Sequence, residues 1–158
     1  MGEGGRRPGE GKKGIDYIGI TCTAIVHDGN GKFAMHKRSK NARDEHGNWD
    51  IAAGGLDFGE RLEECITREI KEEYCADVLE LKQLGTFTAL REQNGIPTHW
   101  VGRFFATKVD PKQVKIGEPH KMDDLGWFTL DTLPSPLHSQ FPKVKEKIKQ
   151  FFAKKNAS

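Results

Sequence analysis

The chain has 158 residues, which is enough for one domain with a sizeable apolar core. Its 25 basic and 23 acidic residues leave a formal net charge of +2, which argues against a dedicated nucleic-acid-binding protein, because such proteins present a strongly basic surface. No run of about eighteen apolar residues is present that could span a membrane. The three cysteines are irregularly spaced and predict reduced thiols in a cytoplasmic protein.

The two ends of the chain differ in composition from its middle. Residues 1–14 are rich in Gly, Lys, Arg and Glu and have almost no apolar side chains, so we expect a disordered basic tail. A single domain is expected over residues 15–153, followed by a disordered C-terminus at residues 154–158.

The first half of the domain reads as strands followed by a helix. The β-branched and apolar run at residues 17–26 predicts a strand. The turn Asp28-Gly29-Asn30-Gly31 predicts that residues 32–37 return as its hairpin partner. A short strand is expected at residues 49–53 and a helix at residues 62–74.

The second half repeats that order. Strands are predicted at residues 79–90 and 98–108, joined across Asn94-Gly95, with a short strand at residues 125–130. A C-terminal amphipathic helix follows from the helical spacing of Phe141, Val144, Ile148 and Phe151. The order of strands and helices indicates a mixed α/β sandwich rather than alternating βαβ units.

The predicted helix at residues 62–74 carries carboxylates on its apolar side. At about 100° per residue, Glu69 and Glu73 stack on one face and Glu72 lies at its flank. The apolar stripe on that same face consists of Leu62, Cys65, Ile66 and Ile70. Because clustered and partly buried carboxylates are costly, a cation should offset them. A hard divalent ion such as Mg²⁺ or Mn²⁺ suits them, and ion pairs with Arg68 and Lys71 are the alternative.

A glycine-rich loop leads into this helix. Gly54, Gly55 and Gly59 permit backbone conformations closed to other residues and let a ligand approach the main chain. Glu60 lies at the helix entrance, near the positive end of the helix dipole. Such a loop is a weak phosphate signal alone, but beside the carboxylates it indicates a metal-bound phosphate anhydride.

The spacing of the loop and helix resembles the Nudix signature, G-x5-E-x7-R-E-U-x-E-E-x-G-U, where U is a bulky apolar residue. The two departures are Cys75 for the last glycine and Ala76 for the last apolar residue. Because cysteine disfavours a positive φ, we expect the helix to end differently or to run on slightly. The matching residues are Gly54, Glu60, Arg68, Glu69, Ile70, Glu72 and Glu73.

The resemblance covers roughly residues 17–152 and implies the Nudix fold, an α/β/α sandwich with a mixed central sheet. It implies hydrolysis of a nucleoside diphosphate linked to another group, by a water that Mg²⁺ or Mn²⁺ activates. Many relatives are dimers, so a homodimer is one option. The implied metal ligands are Glu69, Glu72 and Glu73, the accessory acid Glu60 and the backbone carbonyl of Ala53. Arg68 is implied to position the carboxylates, and Gly54 and Gly55 are implied to contact the substrate.

Two segments, one inside the signature and one beyond it, indicate the substrate. The Leu56–Glu60 entrance and the Glu118-Pro119-His120-Lys121 segment resemble MutT-type nucleoside triphosphate pyrophosphatases. This makes Glu118 a candidate metal ligand or general base, with an ordinary surface turn as the alternative. Arg38 and Arg43 are candidate phosphate contacts, or else exposed loop cations.

We therefore expect a nucleoside triphosphate, natural or modified, as substrate and nucleoside monophosphate with pyrophosphate as products. The alternatives are an ADP-ribose, dinucleotide or coenzyme A diphosphatase, or a nucleotide-binding module without activity. The coenzyme A signature is only partly matched, by Arg38-Ser39, Arg43 and Gly47, and its Phe-Pro-Gly-Gly segment is absent.

Overall fold

The computed structural model describes residues 11–156, so the disorder expected for residues 1–10 and 157–158 lies outside the described residues. The strands are β1 (Gly19–His27), β2 (Phe33–Arg38), β3 (Trp49–Asp50), β4 (Ala52–Gly55), β5 (Glu80–Gln93), β6 (Ile96–Lys108) and β7 (Met122–Phe128). The helices are α1 (Leu62–Tyr74) and α2 (Pro142–Asn156), and a 3₁₀ turn covers Pro111–Gln113.

The strands form one mixed sheet in the order β3-β2-β1-β6-β5, with β4 also beside β1 and β7 also beside β2. β1 runs parallel to β6, and the other pairs are antiparallel. One edge of β1 pairs with β4 over residues 21–24 and with β2 only at Val26 and His27. Because β1 changes neighbours there, β2 and β4 diverge and leave a cleft between them.

The two helices cover opposite faces of the sheet. On the α1 side, buried Cys65, Ile66 and Ile70 pack against alternate residues of β1, namely Cys22, Ala24 and Val26. On the other side, α2 and the residue before it pack Phe141, Val144, Ile148 and Phe151 against Ile25, Phe33 and Phe104. The two-residue period of β1 therefore supplies both cores. The predicted α/β/α sandwich with a mixed central sheet is confirmed.

Most predicted elements are present with small shifts at their ends. The helix at residues 62–74 and the hairpin turn at Asn94-Gly95 are confirmed. The first strand begins at Gly19 instead of Tyr17, and the last strand begins earlier than expected, at Met122. No helix in the part of the chain covered by the structure is long and apolar enough to cross a membrane.

The chain ends are more ordered than expected where the structure describes them. Gly14 accepts a hydrogen bond from the N–H of His99 and donates one to the carbonyl of Tyr17, both at 2.8 Å. Lys13 forms an ion pair with Asp57 at 2.7 Å. At the other end, α2 continues to Asn156, so the expected disorder from residue 154 is wrong for residues 154–156. The helix continues because residues 153–156 include no glycine or proline to end it earlier.

Helix α1 ends at the position where the signature has its glycine. Cys75 follows the helix with φ 60° and ψ 19°, and its N–H donates to the carbonyl of Lys71 at 3.0 Å. The expectation that the helix would end differently is therefore wrong, because the cysteine itself adopts the left-handed conformation. A residue with a Cβ is strained there by about 1–2 kcal/mol.

This strain predicts that Cys75→Gly stabilises the protein. We expect the free energy of unfolding to rise by about 1 kcal/mol, less than the full strain, because glycine also increases the entropy of the unfolded chain. The melting temperature should rise by about 2–4 °C for a domain of this size. Urea and thermal unfolding measure both quantities. Cys75→Ala, which keeps the Cβ, is the control, and equal stability of the two variants would contradict the assignment.

Two buried histidines predict how stability depends on pH. Burial lowers the pKa of His27, beside the ring of Phe151, from 6.5 to about 4. Burial likewise lowers the pKa of His36 to about 4. The hydroxyl of Tyr74 lies 2.6 Å from Nδ1 of His36. Between pH 6.5 and 4 the unfolded chain binds protons that the folded chain does not bind. The contribution of these two neutral histidines to the free energy of unfolding is therefore fully present above pH 6.5 and is lost as the pH falls toward 4.

We expect the free energy of unfolding to fall by about 1–2 kcal/mol per histidine between pH 7 and pH 5. Urea unfolding at the two pH values measures the loss. In the His27→Gln variant, which cannot gain this charge, the loss should shrink by the share of one histidine. A pH dependence as steep as that of the wild type would show that His27 is not responsible.

Candidate active site

The carboxylate face of α1 lines a cavity of about 480 Å³. Glu69, Glu72 and Glu73 form this wall together with Gly54 and Gly55 of β4. Glu73 is only 5% exposed, and it accepts a hydrogen bond from the backbone N–H of Ala53 at 3.2 Å. The helix thus presents its acidic side chains to the cleft at the end of β4, as the spacing predicted.

Gly54 is required by the close approach of β4 to the helix. A Cβ added at Gly54 would lie 1.9 Å from Cδ of Glu69, far inside van der Waals contact. At Gly55 the same atom would be 3.6 Å from the side chain of Lys13, which is an ordinary contact. Of the two glycines predicted to meet the substrate, Gly54 is therefore also the one that makes room for a carboxylate.

Arg68 connects the glycine-rich loop to the helix carboxylates. Its Nε and Nη2 donate to the two carboxylate oxygens of Glu60 at 2.7 and 2.9 Å, and its Nη1 donates to Glu69 at 2.6 Å. These hydrogen bonds hold the pKa of Glu60 at about 2 and raise the pKa of Arg68. Glu60 is not among the described residues that line the cavity, and both its oxygens bind Arg68. Lys71 pairs instead with Asp77, at 3.0 Å.

Burial and mutual repulsion disfavour the charged forms of Glu69 and Glu73 more than Arg68 offsets. Burial raises the pKa of Glu69, and repulsion from Glu72 and Glu118 adds to this while Arg68 opposes it. Burial raises the pKa of Glu73 well above its usual value, and repulsion from Glu69 adds to this. Within residues 11–156, no three Asp, Glu, His or Cys side chains lie close enough together to hold a metal ion as they stand. The donors are nevertheless all hard carboxylate oxygens whose charged forms a cation would stabilise, a set that fits Mg²⁺ or Mn²⁺.

A loop brings a fourth carboxylate to the same cavity. The N–H of Gly117 donates to the carbonyl of Glu73 at 2.8 Å, and a Cβ at Gly117 would lie 2.0 Å from the carbonyl oxygen of Glu72. This tight contact with the last turn of α1 positions the next residue, Glu118, in the cavity wall. Lys121 Nζ lies 3.7 Å from its carboxylate. The role of Gly117 was missed, and the only signal for it in the sequence is a glycine beside Glu118.

The two arginines predicted to bind phosphate both line the cavity, but in different environments. Arg38 donates to the side chains of Asp44 and Asp50, at 2.9 and 3.3 Å, so its charge is balanced within the protein. The guanidinium of Arg43 lies 5.5 Å from the ring centre of Trp100, which also lines the cavity. Arg43 is thus the better placed of the two to meet a ligand.

Sequence reasoning missed a charged network at the cavity rim. Arg91 of β5 pairs with Asp44 at 3.2 Å and with Glu45 at 2.7 Å. Glu45 also accepts the backbone N–H of Ser139 at 3.0 Å and lies 4.0 Å from His138. The network joins the β2–β3 loop, β5 and the segment before α2. No local spacing could have revealed it, because its partners lie up to 94 positions apart.

Comparison with known proteins matches residues 19–152 to a family model, described as NUDIX domain. The NAD-capped RNA hydrolase NudC of Pseudomonas aeruginosa is 27% identical over 112 residues, which are 71% of this chain and 37% of that protein. The nucleoside triphosphatase NudI of Salmonella typhimurium is 34% identical over 84 residues, which are 53% of this chain and 57% of that protein. The chain therefore spans only 37% and 57% of the lengths of these two relatives.

Solved structures share the fold. A MutT NUDIX hydrolase from Burkholderia pseudomallei superposes with a TM-score of 0.72 and 27% identity, covering 85% of this chain and 98% of that one. The NUDIX domain of Shewanella oneidensis NrtR, solved in complex with ADP ribose, superposes with a TM-score of 0.69 and 20% identity, covering 91% and 94%. At that identity, the second likeness supports the fold alone.

Proposed function

Since the chain belongs to the NUDIX domain family, we propose that it is a divalent-metal-dependent hydrolase of nucleoside diphosphate derivatives. The substrate we propose is a nucleoside triphosphate, cleaved to nucleoside monophosphate and pyrophosphate. The observation that carries the proposal is the set of four carboxylates, Glu69, Glu72, Glu73 and Glu118, around one cavity with the glycines of β4. Such oxygen donors suit a cation bound to phosphates.

The residues assigned to the cation are Glu69, Glu72 and Glu73, with the backbone carbonyl of Ala53. When bound, the cation neutralises charge on the phosphates and lowers the pKa of a coordinated water. Glu60 supports this set indirectly, because its two hydrogen bonds hold Arg68 against Glu69. Removal of Glu60 would therefore free Arg68 and disturb Glu69 without removing a carboxylate from the cavity wall.

The remaining side chains bind and orient the substrate. Without a side chain, Gly55 leaves the backbone open to phosphate oxygens, whereas the corresponding space at Gly54 holds the Glu69 carboxylate. Glu118 is the proposed proton acceptor for the attacking water, because the other described carboxylates of the cavity wall outside α1, Asp44 and Asp50, are hydrogen-bonded to Arg38. Arg43 and Trp100 offer a cation and a flat aromatic face to the rest of the nucleotide.

NudI and the MutT hydrolase support the choice of a triphosphate. NudI, 34% identical over the matched part, is named a nucleoside triphosphatase, and the superposing MutT hydrolase has 27% identity. The NrtR domain bound to ADP ribose is 20% identical, so it favours no substrate here. NudC is matched over only 37% of its length, against 57% for NudI, so NAD-capped RNA is the less supported substrate.

A substrate panel tests the proposal. Nucleoside triphosphates, ADP-ribose, dinucleoside polyphosphates, NADH and coenzyme A are incubated with the protein and Mg²⁺, and the products are separated by ion-exchange chromatography. We expect monophosphate and pyrophosphate from at least one triphosphate, loss of turnover with EDTA and recovery with excess Mg²⁺. Preferred cleavage of ADP-ribose, or nucleotide binding without turnover, would contradict the proposal.

A further inference from the structure

The segment before β1 brings a lysine to the glycine-rich loop. We call residues 12–18 the N-terminal strap. Within it, Nζ of Lys13 forms an ion pair with Asp57 at 2.7 Å. The same ammonium lies beside β4, because a Cβ at Gly55 would be 3.6 Å from both Cδ and Nζ of Lys13. Since Gly55 lines the cavity, Lys13 is adjacent to the backbone that is proposed above to meet phosphate oxygens.

Main-chain hydrogen bonds hold the N-terminal strap in place. The N–H of Lys12 donates to the carboxylate of Asp16 at 2.7 Å, and the N–H of Asp16 donates back to the carbonyl of Lys12 at 2.8 Å. The N–H of His99 in β6 donates to the carbonyl of Gly14 at 2.8 Å, which attaches this closed turn to the sheet. Lys13 therefore loses less conformational freedom on meeting a ligand than a lysine on a free tail would lose.

Trp100 connects the strap to a second cation of the cavity. Gly14 packs directly against its indole, since a Cβ at Gly14 would lie 2.3 Å from Nε1 of Trp100. The guanidinium of Arg43 lies 5.5 Å from the ring centre of the same side chain. Lys13 and Arg43 thus place two positive charges around one aromatic residue of the cavity wall. A chain of phosphates is a ligand whose negative charge complements this pair.

The ion pair with Asp57 leaves Lys13 able to bind an anion. The side chain of Asp57 is 61% exposed and also lies 3.4 Å from Arg68, so water and a second cation share its charge. An ammonium group has three N–H donors, of which one donates to Asp57. Arg38 differs, because the two carboxylates that neutralise it are largely buried.

We propose that Lys13 is a phosphate-binding residue of this site, whose ammonium donates to an oxygen of the phosphate chain where that chain approaches Gly55. Asp57 competes with the phosphate for this ammonium. Lys13 precedes residues 19–152, which the family model matches, so the contact belongs to a segment outside the matched domain. The inference rests on the proposed function, since it takes the ligand to be a phosphate anhydride.

Binding of inorganic pyrophosphate in the presence of Mg²⁺ tests the inference without turnover. Calorimetric titration compares the wild type with Lys13→Gln, which removes the charge, and with Lys13→Arg, which keeps it. We expect Lys13→Gln to bind roughly three- to tenfold more weakly, because a hydrogen bond to a charged group is lost at a partly exposed position. Lys13→Arg should restore most of the affinity. For a nucleotide that is cleaved, KM should rise by a similar factor in Lys13→Gln while kcat changes little.

Two further variants distinguish a phosphate contact from a loss of charge or of structure. Lys12→Gln removes the same charge from the neighbouring exposed lysine and should leave the affinity unchanged. Asp57→Asn breaks the same ion pair but keeps the ammonium of Lys13, so pyrophosphate should bind at least as tightly as it does to the wild type. If the ion pair only fastened the strap, Lys13→Gln and Asp57→Asn would weaken binding alike. The urea midpoint of each variant shows that it is folded.

The same titrations separate this inference from the proposed function. Binding that weakens in Lys13→Gln but not in Lys12→Gln or Asp57→Asn supports the inference, even if no triphosphate of the substrate panel is cleaved and the proposed function fails. The inference is overturned if the wild type does not bind pyrophosphate or if Lys13→Gln binds it equally well. Equal weakening in Lys13→Gln and either of the other two variants would overturn it as well.

Discussion

Replacing Glu72 or Glu73 by glutamine is expected to lower kcat by on the order of 10²- to 10³-fold, because each substitution removes a charged oxygen donor from the proposed cation site. Glu72 is the cleaner variant, since its side chain is half exposed and contributes little to the core. Glu73 is almost fully buried and lies beside Glu69, so its substitution is also expected to affect the free energy of unfolding. Initial rates with saturating Mg²⁺ and nucleotide measure the effect on kcat.

The Glu73→Gln variant separates the catalytic role from a structural one. The raised pKa of Glu73 shows that the folded protein holds its charged form unfavourably, and this cost increases as pH rises above the ordinary value. At pH 8 the Glu73→Gln variant should therefore be no less stable than the wild type, although its kcat is much lower. Loss of activity with loss of folding would instead indicate a structural residue.

Glu63→Gln is the matched control for both variants. Glu63 lies on the same helix and loses the same charge, but it is exposed, bonds the side chain of Gln83 and lies outside the cavity wall. Its turnover should stay close to that of the wild type. If Glu63→Gln and Glu72→Gln lost activity equally, the effect would come from the helix charge rather than from a specific ligand position.

The parts of the site that could be predicted from the sequence are those that a single element carries. The 62–74 helix was predictable because its apolar residues recur at helical spacing, and that spacing also placed Glu69 and Glu73 on the inward face. Local periodicity was sufficient for these features. The close approach of Gly54 to Glu69 was not predicted, because the glycines were assigned instead to the approach of a ligand.

Contacts between distant segments could not be predicted in this way. Arg38 was assigned to phosphate because it is a cation near the signature, but Asp44 and Asp50 neutralise it once the β2–β3 loop folds back. The contact between Ser139 and Glu45 likewise joins residues 94 positions apart. Cys75 illustrates another limit, because the packing of α1 outweighs a local preference of about 1–2 kcal/mol against its conformation.

Gly54→Ala is expected to lower kcat/KM by roughly 100-fold with little loss of stability, because the added methyl group would occupy the place of the Glu69 carboxylate. The clashing atoms, Cγ, Cδ and Oε1, belong to a flexible side chain rather than to the backbone, so Glu69 can rotate away without a shift of the main chain. That rotation would break its hydrogen bond with Arg68 and remove a donor from the cavity wall. The urea midpoint and kcat/KM are measured on the same preparation.

Gly55→Ala provides the comparison for this last variant. Both glycines lie in β4 and line the cavity, but a Cβ at Gly55 meets only ordinary contacts with Lys13 and Trp100. Its loss in kcat/KM should therefore be much smaller than that of Gly54→Ala. Equal losses would mean that the glycines act through the substrate or the backbone alone. A large difference at equal stability would instead assign the effect to the Glu69 carboxylate, which only Gly54 accommodates.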